Sequence, residues 1–182
     1  MDLVKNETRF DNPLPENSIS LLTVPRANYD EIIFKILEQS KSPLVCYVTL
    51  NKASSYLAEG LKKHNMSNNN FYFIDGISAM LRDVKEEKNC LFISSPNDLV
   101  ELSIAINEIV SSKKFEMLIF DSLSNLLVYQ KNNQHGLSQF FSSVSSLIKR
   151  QKMRALFICF RNDEKFPFIN ENAHFIDRNI NI

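Results

Sequence analysis

Short apolar runs alternate along the chain with longer stretches in which apolar residues return every three or four positions. The runs at Ile19–Val24, 44–50, 90–93, 117–120 and 155–160 predict strands, that at 44–50 buried and that at 117–120 buried on both faces. The run at 117–120 is too short for a helix and lacks the alternation of a half-exposed strand. Phe71–Asp75 predicts another strand and 174–182 a closing one. Between them, Ile32, Ile33, Ile36 and Leu37 form the apolar stripe of a helix over 29–39, with Asn28 placed to cap it after Pro25. Ala53, Leu57 and Leu61 line a helix over 51–64 whose Lys-Lys-His end suits the carbonyl end of its dipole. Ser95-Pro96-Asn97-Asp98 is a helix-start signature, and Leu99, Leu102, Ile106 and Ile109 carry that helix to Ser111. The clearest amphipathic helix has Leu137, Phe140, Phe141, Val144, Leu147 and Ile148 on one face. Segments 76–89, 130–136 and 161–173 read as connections. Apolar strands alternating with amphipathic helices predict an α/β domain over 18–182, its mainly parallel sheet covered by helices on both faces. Residues 1–17, with Pro13 and Pro15, predict an extended arm before it.

Composition narrows the class. At 182 residues, 44% hydrophobic and 23% charged, the chain suits one domain with a sizeable core. A formal net charge of +0 leaves no global field to draw in nucleic acid or an anionic membrane. Cys46, Cys90 and Cys159 are far apart, each inside an apolar run, and read as buried free thiols rather than a disulfide framework or zinc site. His64, His135 and His174 show no metal-ligand spacing, so no metal is expected. With no signal peptide and no apolar run of membrane-spanning length, these thiols predict a cytoplasmic protein away from membranes.

The candidate chemistry lies at strand ends. Asp121 ends the most buried run and precedes Ser122 and Ser124. In open α/β sheets ligands sit beyond the carboxyl ends of the strands, where such an acid can hold Mg²⁺ for phosphoryl transfer. The competing reading is an Asp that caps the turn after a strand. A triphosphate site also needs a glycine-rich cradle after the first strand, with a Lys reaching the phosphates. The chain has only 3 Gly (Gly60, Gly76 and Gly136), none near Ile19–Val24. The loop there is Pro25-Arg26-Ala27-Asn28-Tyr29-Asp30, without a Gly-Lys-Ser/Thr ending, and Asp30 and Glu31 would repel an anion. Arg26 is left as the one residue there able to meet a phosphate.

Phe120-Asp121-Ser122-Leu123-Ser124-Asn125-Leu126-Leu127 resembles the Walker B strand of RecA/KaiC-type ATPases. Segments 47–52, 73–78, 94–99 and 175–180 are similar to archaeal KaiC-like proteins in the same order, so the resemblance runs from about residue 18 to the C-terminus. It implies a RecA-like three-layer α/β/α sandwich. It also implies glutamates at the end of the second strand to activate the attacking water, where this chain has Leu50-Asn51-Lys52. Asp121 is the only catalytic position carried over; Asp75 matches an acid common at its strand end.

Losing one preorganised electrostatic group costs ~10²–10³ in rate, and here the cradle, its Lys, the metal hydroxyl and the base are missing together. The expectation is a degenerate domain, not an enzyme and without a cofactor, that works as a regulatory or protein-interaction module with a protein partner or another copy of itself. The first alternative is a nucleotide-binding protein or weak NTPase with an unconventional phosphate site, its vestigial pocket formed by Asp121, Ser122, Arg26 and Asn51. The second is a RecA-like nucleic-acid module using Lys149, Arg150, Lys152 and Arg154, against which the overall neutrality argues. The arm over 1–17 and the loop over 129–136 are the expected contact elements.

Overall fold

The computed structural model describes residues 14–40, 44–81 and 83–182. Continuous apolar runs demand burial on both sides, and every residue of β1 (Ile19–Val24), β2 (Val45–Thr49) and β5 (Met117–Asp121) has it. With β3 (Phe71–Asp75), β4 (Cys90–Phe92), β6 (Arg154–Phe160) and β7 (Arg178–Asn181) they form one parallel sheet in the order β4-β3-β2-β5-β6-β1-β7.

Helices fill both faces. On one, α1 (Tyr29–Ser40) and α2 (Ser54–Lys63) bury Ile33, Phe34, Leu37, Leu57 and Leu61 against Leu22, Tyr47, Ile119 and Ile158. On the other, α4 (Leu99–Ser112), α5 (Leu123–Tyr129), α6 (Gln134–Gln151) and α7 (Pro167–Glu171) cover Leu21, Val48, Phe120 and Phe157. A single-turn helix, α3 (Ser78–Leu81), follows β3. The result is a three-layer α/β/α sandwich with a parallel central sheet. Cys46, Cys90 and Cys159 are buried and free within it.

Several boundaries differ from the sequence pattern. The second helix starts at Ser54 instead of residue 51, because Thr49 Oγ1 donates to Lys52 O at 2.5 Å and accepts from Lys52 N at 3.2 Å. That turn leaves Asn51 and Lys52 outside the helix. Asn28 does not offer its side chain from the extended backbone usual for a cap; it has φ 59°, and its carbonyl accepts from Ile32 N at 3.1 Å. Helices α3, α5 and α7 occupy stretches that read as connections or an indistinct apolar segment, each too short for a 3.6-residue period to show. The predicted start over 95–98 holds: Asp98 caps α4 by accepting from Val100 N and Glu101 N at 3.0 and 2.9 Å. The closing strand is shorter than 174–182, because 173–175 form a 3₁₀ turn. The predicted arm up to residue 13 lies outside the described residues, and Leu14 is buried against the α1 and α2 side.

One contact sets how closely α2 approaches α1. A Cβ on Gly60 would stand 2.0 Å from Phe34 Cζ, and that ring is stacked on His64 with centroids 5.0 Å apart. Gly60→Ala is therefore expected to lower stability by about 1 kcal/mol: overpacking costs ~1–3 kcal/mol and the better helix former returns ~1. Urea unfolding measures it; a rise in the midpoint contradicts the packing argument.

Candidate functional site

The chain leaves β2 and β5 in opposite directions, to β3 on one side and β6 on the other, so the crevice beyond their carboxyl ends is a topological switch point. Asp121 stands there in register with Thr49, and across β2 Thr49 is in register with Asp75. Both acids are fully buried. Their surroundings differ completely.

Asp75 is saturated with donors. Ser54 N, Ile77 N and Ser78 N donate to it at 2.7, 2.8 and 2.9 Å, and Ser78 Oγ at 2.7 Å. It thus ties together the first turns of α2 and α3. Burial alone would raise its pKa, but these hydrogen bonds outweigh it and hold the carboxyl below the ordinary value.

Asp121 has no such shell. Tyr47 Oη donates to Oδ2 at 2.7 Å, and Asn51 Nδ2 approaches Oδ1 at 3.4 Å. Asn125 from α5 orients that asparagine, donating to Leu50 O at 2.7 Å and meeting Asn51 Oδ1 at 3.4 Å. Burial pushes the Asp121 carboxyl up to about 6, offset only in part by the hydroxyls of Tyr29 and Tyr47, the Asn51 amide and the charge of Lys52. Burial and the nearby Asp121 raise Tyr47 and Tyr29 well above the ordinary tyrosine value. Tyr29, the first residue of α1, is buried edge-on against Phe160 (centroids 5.4 Å apart), and its hydroxyl stands near Asp121 without closing a hydrogen bond.

Above this cluster, Lys52 pairs with Asp30, whose other oxygen accepts from Tyr56 Oη at 2.6 Å. The Lys52 ammonium also lies 4.5 Å from the Tyr56 ring centroid and 5.7 Å from that of Tyr29. Arg26 sits 4.1 Å over the Phe160 ring and donates to Asp163 Oδ2 at 3.1 Å. Arg26, Asn28, Tyr29, Asp30, Asn51, Lys52 and Phe160 line an open cleft of about 320 Å³.

Of the sequence-predicted site residues, Asp121 and Asn51 meet directly, and Arg26 lines the same cleft as Asn51. Ser122 does not join them: its Oγ accepts from Asn125 N at 3.2 Å and caps α5. Ser124 accepts from Phe160 N at 2.8 Å and ties α5 to β6, so both serines of the Asp-Ser-Leu-Ser stretch hold the fold. Tyr29, Tyr47 and Asn125 escaped sequence reasoning. Tyr47 reads as strand filler, and its role depends on two strands and a loop meeting. In the basic segment 149–154, Lys149 is held by Asp177 and Asn17 O, and Arg154 by Glu116, leaving Arg150 and Lys152 as its exposed remainder.

A KaiC-like protein from the hyperthermophilic archaeon Pyrococcus horikoshii superposes with a TM-score of 0.65 over 95% of this chain and 77% of its own, at 14% identity. The chain has a RecA-like fold. No protein-family model matches it, and no curated protein does. Among the described residues no helix is long and apolar enough to cross a membrane, and no group of three or more His, Cys, Asp or Glu is arranged to hold a metal ion.

Proposed function

We propose that this chain is a degenerate KaiC-like domain of the RecA superfamily that acts as a regulatory or protein-interaction module and does not hydrolyse nucleotide. The observation that carries this reading is the state of Asp121. A carboxylate that holds Mg²⁺ must be ionised and present an oxygen to the ion. Asp121 is fully buried, with its carboxyl pushed up to about 6, and Tyr47 and Asn51 already stand on its oxygens, so an ion could reach it only by displacing them.

The charge order of the cleft supports the same reading. A triphosphate cradle needs a Lys after the first strand, and the resemblance expects glutamates after the second; the chain has Asp30 in α1 and Lys52 after β2, bound to each other. Phosphoryl transfer rests on positioning and on cations aimed at the phosphates, and an acid in the first turn of α1 works against both. The alternative, an unconventional nucleotide site, draws its support from the 320 Å³ cleft with Arg26, Asn51 and Lys52 on its walls.

Calorimetric titration of the wild-type chain with Mg-ATP, together with a phosphate-release assay, separates the two. The expected result is no saturable heat and release at the buffer background. Micromolar binding that disappears in Asp121→Ala would establish the alternative.

A further inference from the structure

Helix α6 carries no Asp, Glu, Lys or Arg from 134 to 148, in a chain that is 23% charged. Its outward positions Gln139, Ser143 and Ser146 are exposed all the same. Helix α4 packs beside it, and both return from the carboxyl edge of the parallel sheet to its amino edge, so they run in the same direction. On α4, Val100 and Ile104 lie one turn apart and are 70% and 53% exposed. Between the helices is a groove of about 320 Å³ with Ile104, Asn107, Ser143 and Ser146 on its walls, and Arg150 is the only charged residue that lines it. A helix face kept in water ordinarily carries charges, and their depletion marks the centre of an interface. Glu108, exposed on α4, does not line the groove.

Charge returns at the two ends of this face, with opposite sign. Asp98 and Glu101 stand at the start of α4, and the exposed Lys113 and Lys114 follow its end. Arg150 adds a further positive charge at that same end, in the last turn of α6. Each helix is served by such an order, but the order also makes the face complementary to itself when one copy is turned end for end.

We propose that the α4/α6 face is a two-fold interface with a second copy of this chain, Ile104 and the serine-walled groove at its centre and α4 antiparallel to the same helix of the other copy. That arrangement sets Asp98 and Glu101 of each copy beside Lys113 and Lys114 of the other, whereas a parallel one brings like charges together. The uncharged middle lets the two surfaces meet without stripping water from ions. The exposed Ile104 side chain leaves water against the other copy. This inference names the partner and the surface of the interaction module proposed above and rests on that reading.

The test is sedimentation velocity over a concentration series for wild type, Ile104→Glu, Ser146→Glu and Ser55→Glu, the last at an exposed position of α2 on the other side of the sheet. Wild type is expected to pass from monomer to dimer with a Kd on the order of micromolar. Ile104→Glu and Ser146→Glu are each expected to weaken the dimer at least ~100-fold, because the two-fold brings every new carboxylate into the interface twice. Ser55→Glu is expected to dimerise as wild type does. Glu is a better helix former than Ser, so Ser146→Glu keeps the helical circular dichroism of wild type and carries the test should Ile104→Glu unfold. Wild type that stays monomeric up to about 500 µM overturns the proposal and leaves the face to a different protein. A dimer that survives Ser146→Glu, or one lost equally in Ser55→Glu, overturns it too. Binding or turnover of Mg-ATP by wild type would instead strike the functional reading, so the two failures are distinguishable.

Discussion

Asp75→Ala is expected to cost about 3–5 kcal/mol of unfolding free energy. The carboxylate accepts three backbone N–H groups and one hydroxyl in a fully buried site, and among the described residues no cation pairs with it. Alanine leaves the leading N–H groups of α2 and α3 without acceptors where water does not reach. A single cap of this kind is worth up to ~2 kcal/mol, and Asp75 serves two helices with a charged acceptor. Asp75→Asn is expected to be nearly as harmful, since its amide NH₂ would face donors. The pH dependence follows from a folded-state pKa held below the ordinary 3.8: the Asp75 contribution is complete above that value and is lost as pH falls through the folded-state pKa. Urea unfolding at neutral pH measures the loss; a change under about 1 kcal/mol would show that the four contacts are weaker than their geometry implies.

Asp121→Asn carries the opposite sign. At pH 7 the variant is expected to be at least as stable as wild type, by up to about 3 kcal/mol, the free-energy equivalent of a pKa raised from 3.8 to about 6. An amide oxygen still accepts from Tyr47, and Asn51 can turn its own oxygen toward the new NH₂. Because the folded state holds this proton more tightly than the unfolded chain, wild-type stability should rise as pH is lowered from 7 toward 4. The advantage of the variant should shrink across the same window and be gone below it. Asp30, Asp75 and Asp177 are all shifted downward, so their contributions change below 3.8, outside that window. Thermal unfolding of both proteins from pH 4 to 8 reads the effect. A large loss in Asp121→Asn at pH 7, with wild-type stability falling as pH drops from 7 to 5, would mean that Asp121 is held ionised, and would reopen the question of a metal ligand.

Much of the architecture was legible because it is written in local patterns. Continuous apolar runs can only be strands buried on both sides, and a stripe such as Leu137, Phe140, Phe141 and Val144 can only face a core. The caps at Asp98 and the basic end of α2 are equally local. Helices α3, α5 and α7 were illegible for the same reason: at 4, 7 and 5 residues they hold too few turns to display a period.

The site was legible only as a set of positions. Sequence alone determined that acids end the third and fifth strands, that the glycine cradle is missing after the first, and that a RecA-like sheet was to be expected. It placed Asp75 and Asp121 in the same way, since each simply follows an apolar run. Only the tertiary structure decided that one is an anchor for two helices held below its ordinary pKa and the other a buried group pushed up to about 6. The reason is physical: a carboxyl group's charge state depends on which donors reach it. Those around Asp121 come from α1, β2 and the loop after β2, elements that meet only when the sheet is assembled.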